Sequence, residues 1–318
     1  MKGGIGLGML LCCLAAFEAK AGCTAAGIAS PAGYGSISST LVRTVPQSTS
    51  SSNSGLTCTP GGISLLSEAY FKATITPTGP GMVGPTGDVI TYTIYANNST
   101  AHPITRGQAF DFASNGLLGT SAPSVIPLYF TTAVNNVAAG VYTETLNIRW
   151  DWKYCTGLGV LGVCLGYDTG ADKHSTLTVS MTVANDCTIS APSISFGSAP
   201  VVSAFSTISQ TISVNCTKGS AYTVGLGDGT HPVSVGGRRQ MISGSNYLAY
   251  DIFQGAGTTR WGSVGTAARR ASSSAEVNPG NGLGTGSQIF NYNAKIYSDQ
   301  TTPPAGSYTD SVVLDVGF

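Results

Sequence analysis

The sequence predicts an all-β protein made of two tandem antiparallel β-sandwich domains. Three observations carry that expectation. Apolar and polar residues alternate along Val89 to Tyr95, Leu177 to Val183 and Ile208 to Val214, runs rich in Val, Ile, Thr and Tyr. A period of two places one set of side chains on one face of a strand, so such runs read as half-buried strands. The chain also carries 42 glycines and 15 prolines, clustered with Asn and Ser between those runs, which is turn chemistry; no segment shows a helical apolar period. Finally, the second half of the chain repeats the landmarks of the first.

Taken in order, the N-terminus comes first. Lys2 precedes an apolar run from Ile5 to Phe17, and Ala19-Lys20-Ala21 supplies the small-x-small pattern a signal peptidase needs. The run is shorter than the roughly 20 residues of a membrane span, so residues 1–21 read as a signal peptide and the mature chain is expected to begin near Gly22. Cys12 and Cys13 lie inside the apolar run and leave with it, and six of the eight cysteines remain. An even number in an exported chain implies three disulfides.

The repeat comes next. Ala139-Gly140-Val141-Tyr142-Thr143-Glu144 returns as Ala305-Gly306-Ser307-Tyr308-Thr309-Asp310, and Thr91-Tyr92-Thr93-Ile94-Tyr95 as Ala249-Tyr250-Asp251-Ile252-Phe253. Cys23 and Cys58 return as Cys187 and Cys216, all at an offset of about 160 residues. The expected division is therefore 22–184 and 185–318. Six cysteines allow fifteen pairings by sequence alone; the repeat selects Cys23–Cys58 and Cys187–Cys216, each tying an early strand to the next. Cys155–Cys164 is left to close a tight hairpin.

The two halves differ at their ends. After Gly140 the first domain has a strand, the Cys155–Cys164 hairpin and a further strand, Leu177 to Val183. After Gly306 the second has one strand, through Phe318. A sandwich short of a strand exposes an apolar groove and open edges that invite strand addition by another chain. Domain 1 is expected to be self-completed and domain 2 to await a partner.

These residues carry a resemblance. Cys187, Phe196-Gly197, Val214-Asn215-Cys216, Tyr222, Arg239-Gln240-Met241, Leu248 to Phe253, Trp261-Gly262, Pro304 to Asp310 and the apolar end Val312 to Phe318 together resemble a spore-coat-U pilin domain of the archaic chaperone–usher pilus family. The first domain resembles it more distantly, through the repeat. The resemblance implies immunoglobulin-like folds, the second lacking its last strand. It also implies a periplasmic pilus chaperone that completes the groove, an outer-membrane usher, and a next pilus subunit whose donor strand replaces the chaperone. Val312, Leu314, Val316 and Phe318 would form the chaperone and donor-strand surface. Ordinary subunits carry a donor segment ahead of the first cysteine; here Cys23 lies one residue past the expected mature terminus. The expectation is a two-domain tip adhesin, exported through the periplasm to the extracellular pilus tip.

The binding surface is expected in domain 1. Three segments are apolar where turns should be polar: Gly79 to Pro85, with Pro80, Met82 and Val83; Gly116 to Ile126, with Leu117, Leu118, Val125 and Ile126; and Gly157 to Val163, with Leu158, Val160, Leu161 and Val163. Counting strand reversals places all three at one pole, and clustered exposed apolar loops mark an interaction site. The expected function is attachment to abiotic or host surfaces and biofilm formation. Two alternatives stand beside it: a lectin-like tip that stacks sugars on Trp150, Trp152 and Tyr154, and a structural subunit that initiates the pilus.

Other classes are excluded. Lys+Arg and Asp+Glu number 15 each and charged residues make up only 9% of the chain, so the basic surplus of a nucleic-acid binder is missing. No metalloprotease, serine-hydrolase or phosphate-loop motif occurs. His102, His174 and His231 are far apart in the chain, so neither an enzyme nor a metal or other cofactor is expected. Arg238-Arg239 and Arg269-Arg270 read as solvated loop charges.

Overall fold

Alternation along Gly140–Cys155 sends Tyr142, Glu144, Leu146, Ile148, Trp150, Trp152 and Tyr154 to one face, and every one of them is buried. Each fully buried aliphatic side chain among them contributes about 1.5–3 kcal/mol relative to leaving it in water, whereas the Glu144 carboxylate has to be paired. The computed structural model describes residues 22–59, 69–118, 122–156, 159–160, 163–164, 166–263 and 268–318; the expected signal peptide lies outside them. The described residues form two β-sandwiches with separate apolar cores. The first core runs from Ala32 to Val183 and the second from Val202 to Ile296.

In the first sandwich, one sheet runs in the order Ala109–Asp111, Tyr70–Pro77, Gly140–Cys155, Tyr167–Ala184, Ala32–Ser38. The two long strands pair antiparallel from Gly140↔Val183 to Cys155↔Tyr167, with one bulge between Trp150 and Trp152. Tyr167–Ala184 then pairs parallel with Ala32–Ser38. The facing sheet runs Ser48–Ser50, Tyr129–Thr132, Tyr92–Tyr95, Pro103–Ile104.

The second sandwich repeats this plan. Arg270–Ala271, Thr223–Leu226 and Leu314–Gly317 form one sheet in that order, the counterparts of Ala109–Asp111, Tyr70–Pro77 and Gly140–Cys155. Cys187–Ser190, Ile208–Cys216, Gln288–Ile296, Asn246–Gln254 and Arg239–Ser243 form the other. Each of the two repeat-related disulfides joins residues directly opposed across an antiparallel pair, Cys23↔Cys58 and Cys187↔Cys216, and Cys155–Cys164 closes the hairpin. All three expected pairings are present.

The basic pairs are not the solvated loop charges the sequence suggested. Arg239 is fully buried and bonded to Asp251, and Arg270 is 5% exposed, with its guanidinium near the rings of Trp261 and Phe290. Only Arg238 fits the expectation, pairing with Asp299 at the surface.

A polar seam joins the sandwiches. Lys218 Nζ lies 2.6 Å from Asp88 Oδ1, the Ser39 and Thr217 hydroxyls are 2.6 Å apart, and Asn136 Nδ2 donates to the Leu283 carbonyl at 2.9 Å. All three contacts come from the end of domain 1 where Gly140–Cys155 begins. The opposite end, where that strand reaches Cys155, is the distal pole.

Candidate functional site

The first site is an open sheet edge in domain 2. Gly140–Cys155 has a neighbour on each side, Tyr70–Pro77 and Tyr167–Ala184. Its counterpart Leu314–Gly317 pairs with Thr223–Leu226, and among the described residues it has no strand on its other side. The segment after the first domain-1 cysteine, Ala32–Ser38, is a strand because Tyr167–Ala184 lies beside it. The matching stretch of domain 2, residues 191–207, forms no strand, only a 3₁₀ turn at Val202–Ala204. Its backbone has no ladder to join. Between this stretch and residues 302–308 opens a cavity of about 250 Å³, lined by Val201, Val202, Phe205, Leu248 and Tyr308 among others.

The last strand presents one apolar face to this sandwich. Val312, Leu314 and Val316 are half-buried against the domain-2 core, whereas Val313, on the other face, is 71% exposed. Phe318 stands 58% exposed at the end. Arg269 holds the strand in place: Nη1 lies 2.6 Å from Asp315, and Nη2 donates to the Thr223 carbonyl of the neighbouring strand at 3.1 Å.

The second site is the distal pole of domain 1. Leu117, Leu118, Val125 and Ile126 all line one recess of about 530 Å³ with Phe112, Pro123 and Tyr129. Leu117 and Leu118 are half-buried and Val125 is 37% exposed; Ile126, at 2%, forms the floor and is a core residue rather than an exposed one. The segment reaches the pole because Phe112 bonds to Phe71, which stands opposite Trp152, and because Ser124 bonds to Cys58. The hairpin Gly159–Val160 with Val163–Cys164 rises from the same end. Leu158 and Leu161 lie outside the described residues, and of Val160 and Val163 only the backbone is described.

The third apolar segment does not join them. Met82–Val83 pairs with Val89–Ile90 and lies beside Thr143, at the end of domain 1 that meets domain 2. Met82 is fully buried, Val83 is 43% exposed, and Pro80 is exposed near the seam. Beneath this hairpin the buried Glu144 accepts from Arg106 Nη1 at 3.2 Å, the Gly79 N–H at 3.1 Å and the Tyr92 hydroxyl at 2.5 Å. Burial and the Glu144 carboxylate hold the Tyr92 phenol well above its usual range. The expectation of one pole for three loops is corrected to two loops at the pole and one at the seam.

The aromatic row proposed for sugar stacking is core. Trp150, Trp152 and Tyr154 are 0%, 2% and 0% exposed, with the indole N–H groups donating to Ser175 Oγ and Asp168 Oδ2. Among the described residues no cluster of three metal-capable side chains occurs.

The Spore Coat Protein U domain family matches residues 11–149 and 173–315, one match in each half. A chain of the crystal structure of the CsuC–CsuE chaperone–tip adhesion subunit pre-assembly complex, from archaic chaperone–usher Csu pili of Acinetobacter baumannii, is similar. Identity is 27% over 93% of this chain and 100% of that one, with a TM-score of 0.63. The CupB6 tip adhesin of Pseudomonas aeruginosa is 14% identical over 93% of this chain and 94% of that one, with a TM-score of 0.32. No curated protein matches the chain.

Proposed function

The chain belongs to the Spore Coat Protein U domain family, and on that premise we propose that it is the tip adhesin of a chaperone–usher pilus. Its role is adhesive and structural, not enzymatic. The observation that carries the reading is the contrast between equivalent strands: Gly140–Cys155 is flanked on both sides, and Leu314–Gly317 on one. An edge strand with half-buried apolar side chains beside an apolar groove is the geometry that strand addition completes. In this reading a periplasmic chaperone fills the groove first, an outer-membrane usher receives the complex, and the next subunit then inserts its donor strand. Val312, Leu314, Val316 and Phe318 form the accepting surface.

Domain 1 then attaches the pilus to apolar surfaces, abiotic or host, and so supports biofilm formation. Leu117, Leu118 and Val125, with Leu158, Val160, Leu161 and Val163 of the stapled hairpin, form the contact. The disulfide supports this role because a constrained loop gives up less conformational freedom on contact.

Co-expression with the cognate chaperone tests the first half: a one-to-one complex on size exclusion, with aggregation of the chain alone, is the expected result. A monodisperse, stable free monomer would overturn it. The second half predicts that Val160→Asp with Leu161→Asp abolishes attachment to polystyrene while pili still assemble; undiminished attachment would reject the hydrophobic contact.

A further inference from the structure

We propose that domain 1 carries a saccharide-binding cleft on its outer face, for a neutral sugar of one or two pyranose rings, in a place the buried Trp150 and Trp152 do not reach. Tyr95 and Tyr129 are direct cross-strand partners, each next to a buried core residue, Ile94 and Phe130. Alternation therefore turns both phenol rings outward, where they are half-buried side by side. They form the wall of a cleft of about 320 Å³, at the small end of ligand pockets, which run from roughly 300 to 1,000 Å³.

The rest of the lining is uncharged and hydrogen-bonding. Asn97, Asn98, Ser50 and Thr131 surround the rings, and no residue of the cleft carries a charge. The hydroxyls of Tyr95 and Tyr129 and the amide of Asn98 have no hydrogen-bond partner among the described residues, whereas Thr131 Oγ1 is bonded to Ser48 Oγ at 3.1 Å. Apolar ring faces framed by free donors and acceptors match a sugar, whose C–H face stacks on an aromatic ring while its hydroxyls need partners around the rim. An anionic ligand finds no cation there, and a purely apolar one leaves the amides unpaired. The cleft shares Asn97 and Tyr129 with the apolar recess of the pole, so it opens toward the same distal surface.

The test is titration of the full-length mature chain with lactose, maltose and cellobiose, read by saturation-transfer NMR and calorimetry. At least one disaccharide is expected to bind, and Tyr95→Ala or Tyr129→Ala to weaken it at least about tenfold, the equivalent of one lost ring contact. Asn98→Asp, on an exposed turn, serves as the variant that keeps the fold and is expected to weaken binding too. Val313→Asp, on the exposed face of the last strand of domain 2, is expected to leave sugar binding unchanged, which ties any loss in the other variants to this cleft. No binding of any of the three up to about 10 mM, or binding indifferent to Tyr95, Tyr129 and Asn98, overturns the inference.

Discussion

Arg239 Nη1 lies 2.6 Å from Asp251 Oδ1, and neither side chain is exposed to solvent at all. The guanidinium also donates to the carbonyls of Gly227, Leu226 and Trp261, and Arg260 Nε reaches the same Asp251 oxygen at 2.9 Å. One arginine thus bonds three backbone carbonyls and a carboxylate at once. Removing it takes a donor from each carbonyl and leaves the carboxylate half-compensated. Arg239→Met is expected to destabilise domain 2 by about 3–5 kcal/mol, read in denaturant through the fluorescence of Trp261, which packs beside it. A shift below about 1 kcal/mol would mean that Arg260 alone satisfies the network.

The accepting strand should be sensitive on one face only. Leu314→Asp or Val316→Asp places a carboxylate in the apolar groove and should eliminate the chaperone complex on size exclusion. Val313→Asp, on the exposed face, should leave it intact. Equal tolerance of both would mean that the partner does not read this face.

Gly170 lies against the Trp152 indole, where an added Cβ would collide with the six-membered ring. The long strands cannot move apart there without breaking their ladder. Gly170→Ala should cost about 1–3 kcal/mol of domain-1 stability and lower its melting temperature. An unchanged melt would show that the bulge beside Trp150 absorbs the methyl group.

The seam between domains should loosen in acid. Burial alone would raise the Asp88 pKa, but the Lys218 ammonium and the Ala138 N–H bonded to it outweigh that and hold it below the usual carboxylate range. A depressed folded value means that the contribution is intact above the ordinary Asp pKa of about 3.9 and is lost as pH falls through the folded one. Small-angle scattering should show the two sandwiches closing to a fixed distance at neutral pH and spreading below about pH 4. Lys218→Ala should spread them at every pH; a distance indifferent to both changes would remove this contact from the seam.

Much of this fold is legible in the sequence. The strand Leu177 to Val183 announces itself through uninterrupted alternation, and the repeat finds the disulfide pairs because homologous halves place their cysteines on homologous strands. The position of the Gly79–Pro85 segment is not legible in the sequence, for a definite reason. Pro103–Ile104 is a strand of two residues, too short for any alternation, and it adds one reversal between Thr76 and Phe112. That extra reversal changes the parity of the strand count, and it puts the Gly79–Pro85 loop at the seam instead of the pole. The buried arginines are not legible because a charge reads as solvent-exposed unless its partner is known; Arg239 enters the core because Asp251, the adjacent carbonyls of Leu226 and Gly227, and the Trp261 carbonyl converge there. Tyr95 and Tyr129 are 34 residues apart in sequence, and only sheet pairing makes them neighbours.

The two long strands of domain 1 reach from the seam with domain 2 to the distal pole with a single bulge between Trp150 and Trp152, and the disulfide-closed hairpin lies between them in the chain. At about 3.3 Å per residue, a strand of 16 residues spans on the order of 50 Å. A tip held at the pole and pulled through domain 2 would load this ladder lengthwise. Every cross-strand hydrogen bond then resists sliding at the same moment, instead of parting one after another as in peeling. The Cys155–Cys164 staple at the far end would keep the hairpin from opening first under such a pull.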